Sequence, residues 1–102
     1  MTAEELLQRY TNGERDFSNV SIVGEELIGV DLREINFRQA DLNVNFEQSD
    51  LRDAVFESAS VAECLFMDAN LSRADFSNAV LSESNFEKAN LGYGPDYCKI
   101  RP

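Results

Sequence analysis

Between Ala69 and Leu91 the chain reads ANLSR ADFSN AVLSE SNFEK ANL, a five-residue unit repeated without a slip. Its large apolar residues are Leu71, Phe76, Leu81, Phe86 and Leu91, and two positions before each stands Ala69, Ala74, Ala79, Ser84 or Ala89. No regular element accepts that period. On an α-helix each residue advances about 100°, so five residues overshoot a turn by about 140° and the large side chains smear around the cylinder. Along a straight strand side chains alternate faces, so an odd period sends successive large residues to opposite sides. The chain keeps them together only by turning a corner in every unit. Each central residue and its i−2 neighbour then share one short inward-facing stretch, and the residues between successive pairs carry the corner. If four equal corners close a square, one coil takes about 20 residues, and coils stack at about the 4.8 Å strand spacing.

Extended in both directions, the frame holds sixteen centres. Taken four at a time they fall on four faces. The first face carries Phe17, Phe37, Phe56 and Phe76, and the second Ile22, Leu42, Val61 and Leu81. The third carries Leu27, Phe46, Phe66 and Phe86, and the fourth Leu32, Leu51, Leu71 and Leu91. Phenylalanine thus occupies two opposite faces and aliphatic residues the other two, which keeps the volume of each layer nearly constant. One step is irregular. Five residues beyond Leu42 stands Glu47, a costly core residue, so the centre there is Phe46 with Val44 as its partner. One residue is missing from the corner around Asn43, and a distorted corner is expected between Leu42 and Phe46.

The units ADLNV, SDLRD, ANLSR, ADFSN and ANLGY follow the pattern A(D/N)LxX. This pattern resembles the pentapeptide repeat family, and the resemblance covers roughly Arg15 to Tyr93. It implies an all-β solenoid, a right-handed quadrilateral β-helix of about four coils. The chain of 102 residues then divides into a capping helix and turn over 1–14, the β-helix over 15–93 and a tail over 94–102.

The ends need covers, because a solenoid terminates in an open strand edge. Thr2-Ala3-Glu4-Glu5 fits a capping box, helix formers follow to about Tyr10, and Asn12-Gly13 supplies a stop. A short N-terminal helix over residues 2–12 is expected to pack on the first coil through Leu6, Leu7 and Tyr10. The first coil departs from the pattern at its i−2 positions, which are Arg15, Val20, Glu25 and Val30, and Ile35 follows in the second. Arg15 and Glu25 are expected to meet near the end of the core beneath the helix. After Leu91 the tail GYGPDYCKIRP brings Tyr93, Tyr97 and Ile100, which could fold over the open C-terminal end, hang free or contact a second copy.

Composition narrows the function. The formal net charge is −10, which favours solubility and disfavours nucleic acid or an anionic membrane as partner. No apolar run is long enough to span a bilayer, and MTAEELLQRY lacks a basic start and an apolar signal core, so a cytoplasmic protein is expected. Histidine is absent, the two cysteines form no metal-spaced cluster, and Cys64 falls at an i−2 position where it replaces alanine as a small buried residue. No nucleophile motif or phosphate loop occurs. Asp31, Asp41, Asp50 and Asp75 stand at i−1, where a carboxylate can bond corner amides, so they read as structural. Neither an enzyme nor a cofactor or metal site is expected.

The outward positions carry the remaining information. On the fourth face Arg33, Arg52 and Arg73 interleave with Asp31, Glu34, Asp50 and Asp53, a ladder of weak ion pairs. The second face presents Asp41, Glu63 and Glu83, and the third Glu26, Glu47, Asp68 and Glu87, opposed there only by Lys88. Outward apolar residues are Val23, Ile28, Val55, Leu65, Met67 and Val80. Leu65 and Met67 with Glu47, Asp68 and Glu87 nearby form the candidate partner surface. The expected role is a non-catalytic protein-binding or scaffold module whose protein partner the sequence does not identify. A homodimer through a coil end or the tail is a second expectation, and a building block of a larger repeat assembly a third. The alternative is a DNA mimic, since some pentapeptide repeat proteins protect DNA gyrase in this way. From Arg15 to Tyr93 fifteen acids and six bases leave a net −9, a charge density similar to that of B-DNA. The gyrase-binding members, however, resemble longer rods, and the arginines dilute one face here.

Overall fold

The structure is a computed structural model and describes residues 1–100. After one helix, α1 (Ala3–Thr11), the chain coils upon itself, and parallel bridges join each unit to the unit one coil away. The first ladder runs Asp16, Asn36, Val55, Asp75 and Lys99, and the fourth Asp31, Asp50, Asn70 and Asn90. The second runs Ser21, Asp41, Ser60 and Val80, and the third Glu26, Asn45, Leu65 and Asn85. The described residues extend 34 × 23 × 21 Å.

The corners explain the repeat's sequence. A central residue accepts a hydrogen bond from the N–H three residues on, as Leu32 does from Ile35 at 3.2 Å and Phe66 from Ala69 at 3.0 Å. The second residue after the centre then has a positive φ, 63° at Glu34, 58° at Gln39 and 63° at Arg73. That is the pattern of a type II turn. The Asp or Asn before the centre holds the turn from outside. Its side chain accepts the N–H of the residue after the centre, Asp16 from Ser18, Asn36 from Arg38, Asn45 from Glu47 and Asp75 from Ser77.

The corner short of one residue behaves differently. No residue from Leu42 to Phe46 has a positive φ, and the chain runs straight as β2 (Asp41–Asn45). It pairs with β1 (Ser21–Glu26), which absorbs its extra residue as a register shift between Val23 and Glu25, where Gly24 has φ 74°. The ladder step of 20 residues from Asp16 to Asn36 shortens to 19 from Asn36 to Val55. Val44 and Phe46 point inward at 2% and 0% exposure, and Glu47 stays outside the core. The straightened corner has no turn bond of its own. Cys64, one coil on, fills the gap: the Val44 N–H donates to its Sγ at 3.4 Å, and the thiol faces the Leu42 carbonyl at 3.3 Å. Cys64 therefore does more than replace alanine, as the spacing alone suggested. Ser49 acts in the same way three corners earlier, accepting the Val30 N–H at 3.1 Å and donating to the Leu27 carbonyl.

Inside, the rings form two interlocked columns. Phe56 stacks on Phe76 at 4.5 Å, Phe46 on Phe66 at 5.2 Å and Phe66 on Phe86 at 4.9 Å. Across the core the columns meet edge to face, with Phe56 and Phe66 at 5.8 Å and Phe66 and Phe76 at 5.7 Å. These are the favoured offset and T-shaped arrangements of aromatic quadrupoles. The centres from Phe17 to Phe76 are buried, whereas Leu81, Phe86 and Leu91 in the last coil are only half-buried.

The two ends are finished differently. The α1 helix covers the first coil with Leu6 fully buried and Leu7 and Tyr10 packed against the core. Thr2 Oγ1 caps it by accepting the Glu5 N–H at 3.1 Å, and the Tyr10 hydroxyl donates to the Arg33 carbonyl at 2.7 Å. Arg15 and Glu25 make no pair with each other, contrary to expectation. Each bonds the helix instead. Glu25 Oε1 accepts the Ala3 N–H at 2.7 Å, next to the positive end of the helix, and Arg15 donates to the Tyr10 carbonyl at 2.9 Å with its guanidinium over the Tyr10 ring.

At the other end the tail adds one rung to the first ladder only. Phe76 N–H donates to the Lys99 carbonyl at 2.7 Å and Lys99 N–H to that of Ala74 at 2.8 Å, which buries Cys98 at an i−2 position. Between them the chain makes a detour through a 3-10 turn (Gly94–Asp96). Tyr93, Tyr97 and Ile100 do not close the end: they are 86%, 50% and 42% exposed. The detour turns their side chains outward, and the small Cys98 fills the inward position instead.

Candidate functional site

The third face carries the residues singled out from sequence. Backbone bonds from Gly29 to Glu47, Gln48 to Met67 and Asp68 to Glu87 set Ile28, Glu47, Met67 and Glu87 in one outward column. Apolar and acidic side chains alternate along it, as a period of one coil brings residues from four different units together. A shallow depression in this column is lined by Glu47, Met67, Asp68, Asn85, Glu87 and Lys88. Four of the five residues expected at the surface, Glu47, Met67, Asp68 and Glu87, thus meet. Leu65 lies beside the depression, in the ladder column between Asn45 and Asn85, and both Leu65 and Met67 are half-buried.

Glu47 is held in place by Asn45. The Asn45 amide donates to Glu47 Oε1 at 3.0 Å while its carbonyl oxygen accepts the Glu47 N–H at 2.9 Å. Asn85 likewise fixes the backbone of Glu87 at 2.8 Å. These two asparagines position the acidic residues. The sequence signal for them was the i−1 slot itself, which reads first as a turn-former. Ile28, 44% exposed, tops the same column.

On the fourth face each arginine is paired with a carboxylate. Arg33 and Asp31 form a two-pronged pair with Nη2 to Oδ2 at 2.8 Å, and Arg33 also reaches Asp50 at 3.9 Å. Arg52 pairs with Asp50 at 2.6 Å, and Arg73 with Asp53 at 2.8 Å and Asp96 at 3.3 Å. The Arg33 guanidinium, with its backbone N–H, holds the Asp31 carboxyl down at about 2. Arg52 and Arg73 lower Asp50 and Asp53 in the same way. The expected ladder is present except at Glu34, which forms no ion pair among the described residues, and its exposed pairs are each worth little to stability. Burial pushes the Cys64 thiol up to about 11 and the Cys98 thiol up to about 12, so neither is a ready nucleophile. Among the described residues no group of three or more His, Cys, Asp or Glu side chains is placed to hold a metal ion. No helix among them is long and apolar enough to cross a membrane.

The family of pentapeptide repeats matches residues 26–67 and 64–93, in eight copies. No curated protein sequence matches the chain. Among solved structures the chain is similar to HetL, a pentapeptide repeat protein involved in heterocyst differentiation regulation from the cyanobacterium Nostoc sp. strain PCC 7120. The likeness has a TM-score of 0.80 at 27% identity and covers 82% of this chain but only 36% of HetL. The chain is also similar to alr5209, a pentapeptide repeat protein from the same Nostoc strain, with a TM-score of 0.68 at 24% identity over 99% of this chain and 86% of that one. The second likeness bears on the fold alone.

Proposed function

Since this chain belongs to the pentapeptide repeat family, we propose that it is a non-catalytic protein-binding or scaffold module, a right-handed quadrilateral β-helix of about four coils that docks a basic partner on its third face. The column Ile28, Glu47, Met67 and Glu87 carries this reading. It places half-buried apolar surface inside an acidic surround, the layout of a contact with a polar rim. Lys88 is the one base on that face, so a partner with a basic-rimmed apolar groove fits, and its association would be steered by charge and weakened by salt. The similar HetL takes part in the regulation of differentiation, a role that suits a rod acting through what it holds. The two cysteines are free thiols, in keeping with a cytoplasmic setting.

DNA mimicry is the weaker reading, because the fourth face is a ladder of paired arginines and carboxylates. The test uses a partner isolated by affinity capture. Leu65→Ser with Met67→Ser should abolish binding, and Glu47→Gln with Glu87→Gln should slow association. Loss only in the carboxylate double variant, together with inhibition in a gyrase supercoiling assay, would favour mimicry. Loss in neither would make the third face plain solvent surface.

A further inference from the structure

We propose that the segment seated on the third face is a single amphipathic α-helix laid along the rod axis, with apolar residues at i and i+7 and bases at i+3 and i+10. This rests on the reading of the third face as the docking surface, and adds the shape, orientation and residue pattern of what docks. The column Ile28, Glu47, Met67 and Glu87 alternates apolar and acidic side chains, one per coil. The alternation has a cause two residues earlier. Where that residue is Asn45 or Asn85, it accepts the backbone N–H of Glu47 or Glu87. Where it is Glu26 or Leu65, the column residue is Ile28 or Met67. The acids are thus fixed at their roots, and the Asn45 amide also holds the Glu47 carboxylate at 3.0 Å. Glu47 therefore loses little rotamer freedom on binding.

Spacing selects the helix. Coils stack at about 4.8 Å, so the four column residues stand at about 0, 4.8, 9.6 and 14.4 Å along the axis. Residues i, i+3, i+7 and i+10 of an α-helix share one stripe and rise by about 0, 4.5, 10.5 and 15 Å. The two rows stay within about 1 Å of each other over three turns. A strand laid the same way repeats on one face every 6.6–6.8 Å or so, and is about 4 Å out of step by its third contact. Nor can a strand join the ladder here. Leu27, Phe46 and Phe66 already donate to Asn45, Leu65 and Asn85 of the next coil. Recognition then passes through side chains, as for a helix docked by its anchors. Charge selects the residues. Neither Glu47 nor Glu87 forms an ion pair among the described residues. Bases at i+3 and i+10 supply the missing partners, while apolar residues at i and i+7 cover Ile28 and Met67. The turn from i+7 to i+10 enters the depression beside Met67 and Glu87. The basic-rimmed groove of the partner is the furrow between side-chain rows of this helix.

A designed peptide of about 18 residues, long enough to be helical, tests this against the full chain. Its background is Ala and Gln, with Leu at i and i+7 and Arg at i+3 and i+10, and binding is read by fluorescence anisotropy. Saturable binding that weakens with salt is expected. Met67→Glu, and Glu47→Gln with Glu87→Gln, should each weaken it about tenfold, as for residues central to an interface. Val23→Asp on the second face should leave it unchanged. A peptide of the same composition with the four residues at i, i+2, i+4 and i+6 should bind about tenfold more weakly, as should the helical peptide carrying a central Pro. Charge exchange reads the register: Glu87→Arg should lose the original peptide and bind one with Glu at i+10, but not one with Glu at i+3. Circular dichroism melts establish that each variant is folded, and the exchange decides the matter should Met67→Glu fail to fold. No saturable binding, equal binding of the permuted peptide, or indifference to the third-face variants would overturn the proposal. The reading of the face itself fails separately, if the captured partner keeps its affinity for Leu65→Ser with Met67→Ser. Loss of that partner with no binding of the peptide would keep the face and refute the helix.

Discussion

Ser49→Ala should be far more damaging than its size suggests. The side chain is 1% exposed, and its hydroxyl sits inside the corner of the coil before it. It accepts the Val30 N–H at 3.1 Å and donates to the Leu27 carbonyl. Alanine removes both bonds and leaves no room for water. One stranded carbonyl in a buried position costs about 1–3 kcal/mol, and the partly buried N–H adds about 1 more. The expected loss is therefore about 2–4 kcal/mol. For a chain of this length that lowers the melting temperature by on the order of 10–20 °C. Thermal and urea unfolding of wild type and variant measure the difference. Ala69→Ser serves as the control, since it stands in the same column one coil on. A loss below about 0.5 kcal/mol for Ser49→Ala would mean that Leu27 and Val30 close their own turn, and that the hydroxyl is incidental.

Three other outcomes are expected. Phe66→Ala removes a ring that touches Phe46, Phe56, Phe76 and Phe86, and should cost about 3–5 kcal/mol in urea unfolding; a loss under about 1 kcal/mol would place Phe66 outside the core. Gly92→Ala puts a Cβ 2.1 Å from the Asp96 carbonyl oxygen at φ 72°, so the added rung should detach and Cys98 should become reactive to a thiol reagent while Cys64 stays inert; unchanged labelling would show that the detour adapts. Asp31 titrates in the folded chain at about 2, below the usual carboxylate value, so its contribution to stability is present above about pH 4 and is lost as pH falls toward 2. Arg33→Gln should flatten that part of the acid-unfolding profile, and an identical profile would mean that the exposed pair contributes nothing.

Much of this molecule is written in its period. The four faces, the two phenylalanine columns and the straightened corner follow from counting residues between centres, because each centre occupies the same environment. The fourth-face ladder was legible for the same reason. What escaped counting depends on groups that carry no letter of their own. Arg15 and Glu25 are satisfied by backbone atoms of α1, so charge alone suggested the wrong partner. Ser49 and Cys64 stand among alanines at i−2 positions and read as small fillers, yet each answers an open turn one coil away. The tail's return on the first face needs the close passage of Gly92 under Asp96, which no pattern announces. At the third face the column could be assigned from spacing, but the half-burial of Leu65 and Met67 could not.

The ladders have a mechanical consequence. Every coil-to-coil hydrogen bond runs along the rod, and the stacked rings run the same way. Tension along the axis is therefore borne by each layer in series, and the layer with the fewest bonds yields first. That layer is the added rung at Lys99, which only the first ladder holds, whereas the coil before it is bonded through all four. A pull transmitted through a tethered partner would peel the rod from this end, coil by coil, while the stretch beneath α1 stayed wound. In such a rod the order of rupture is set by which end is sealed.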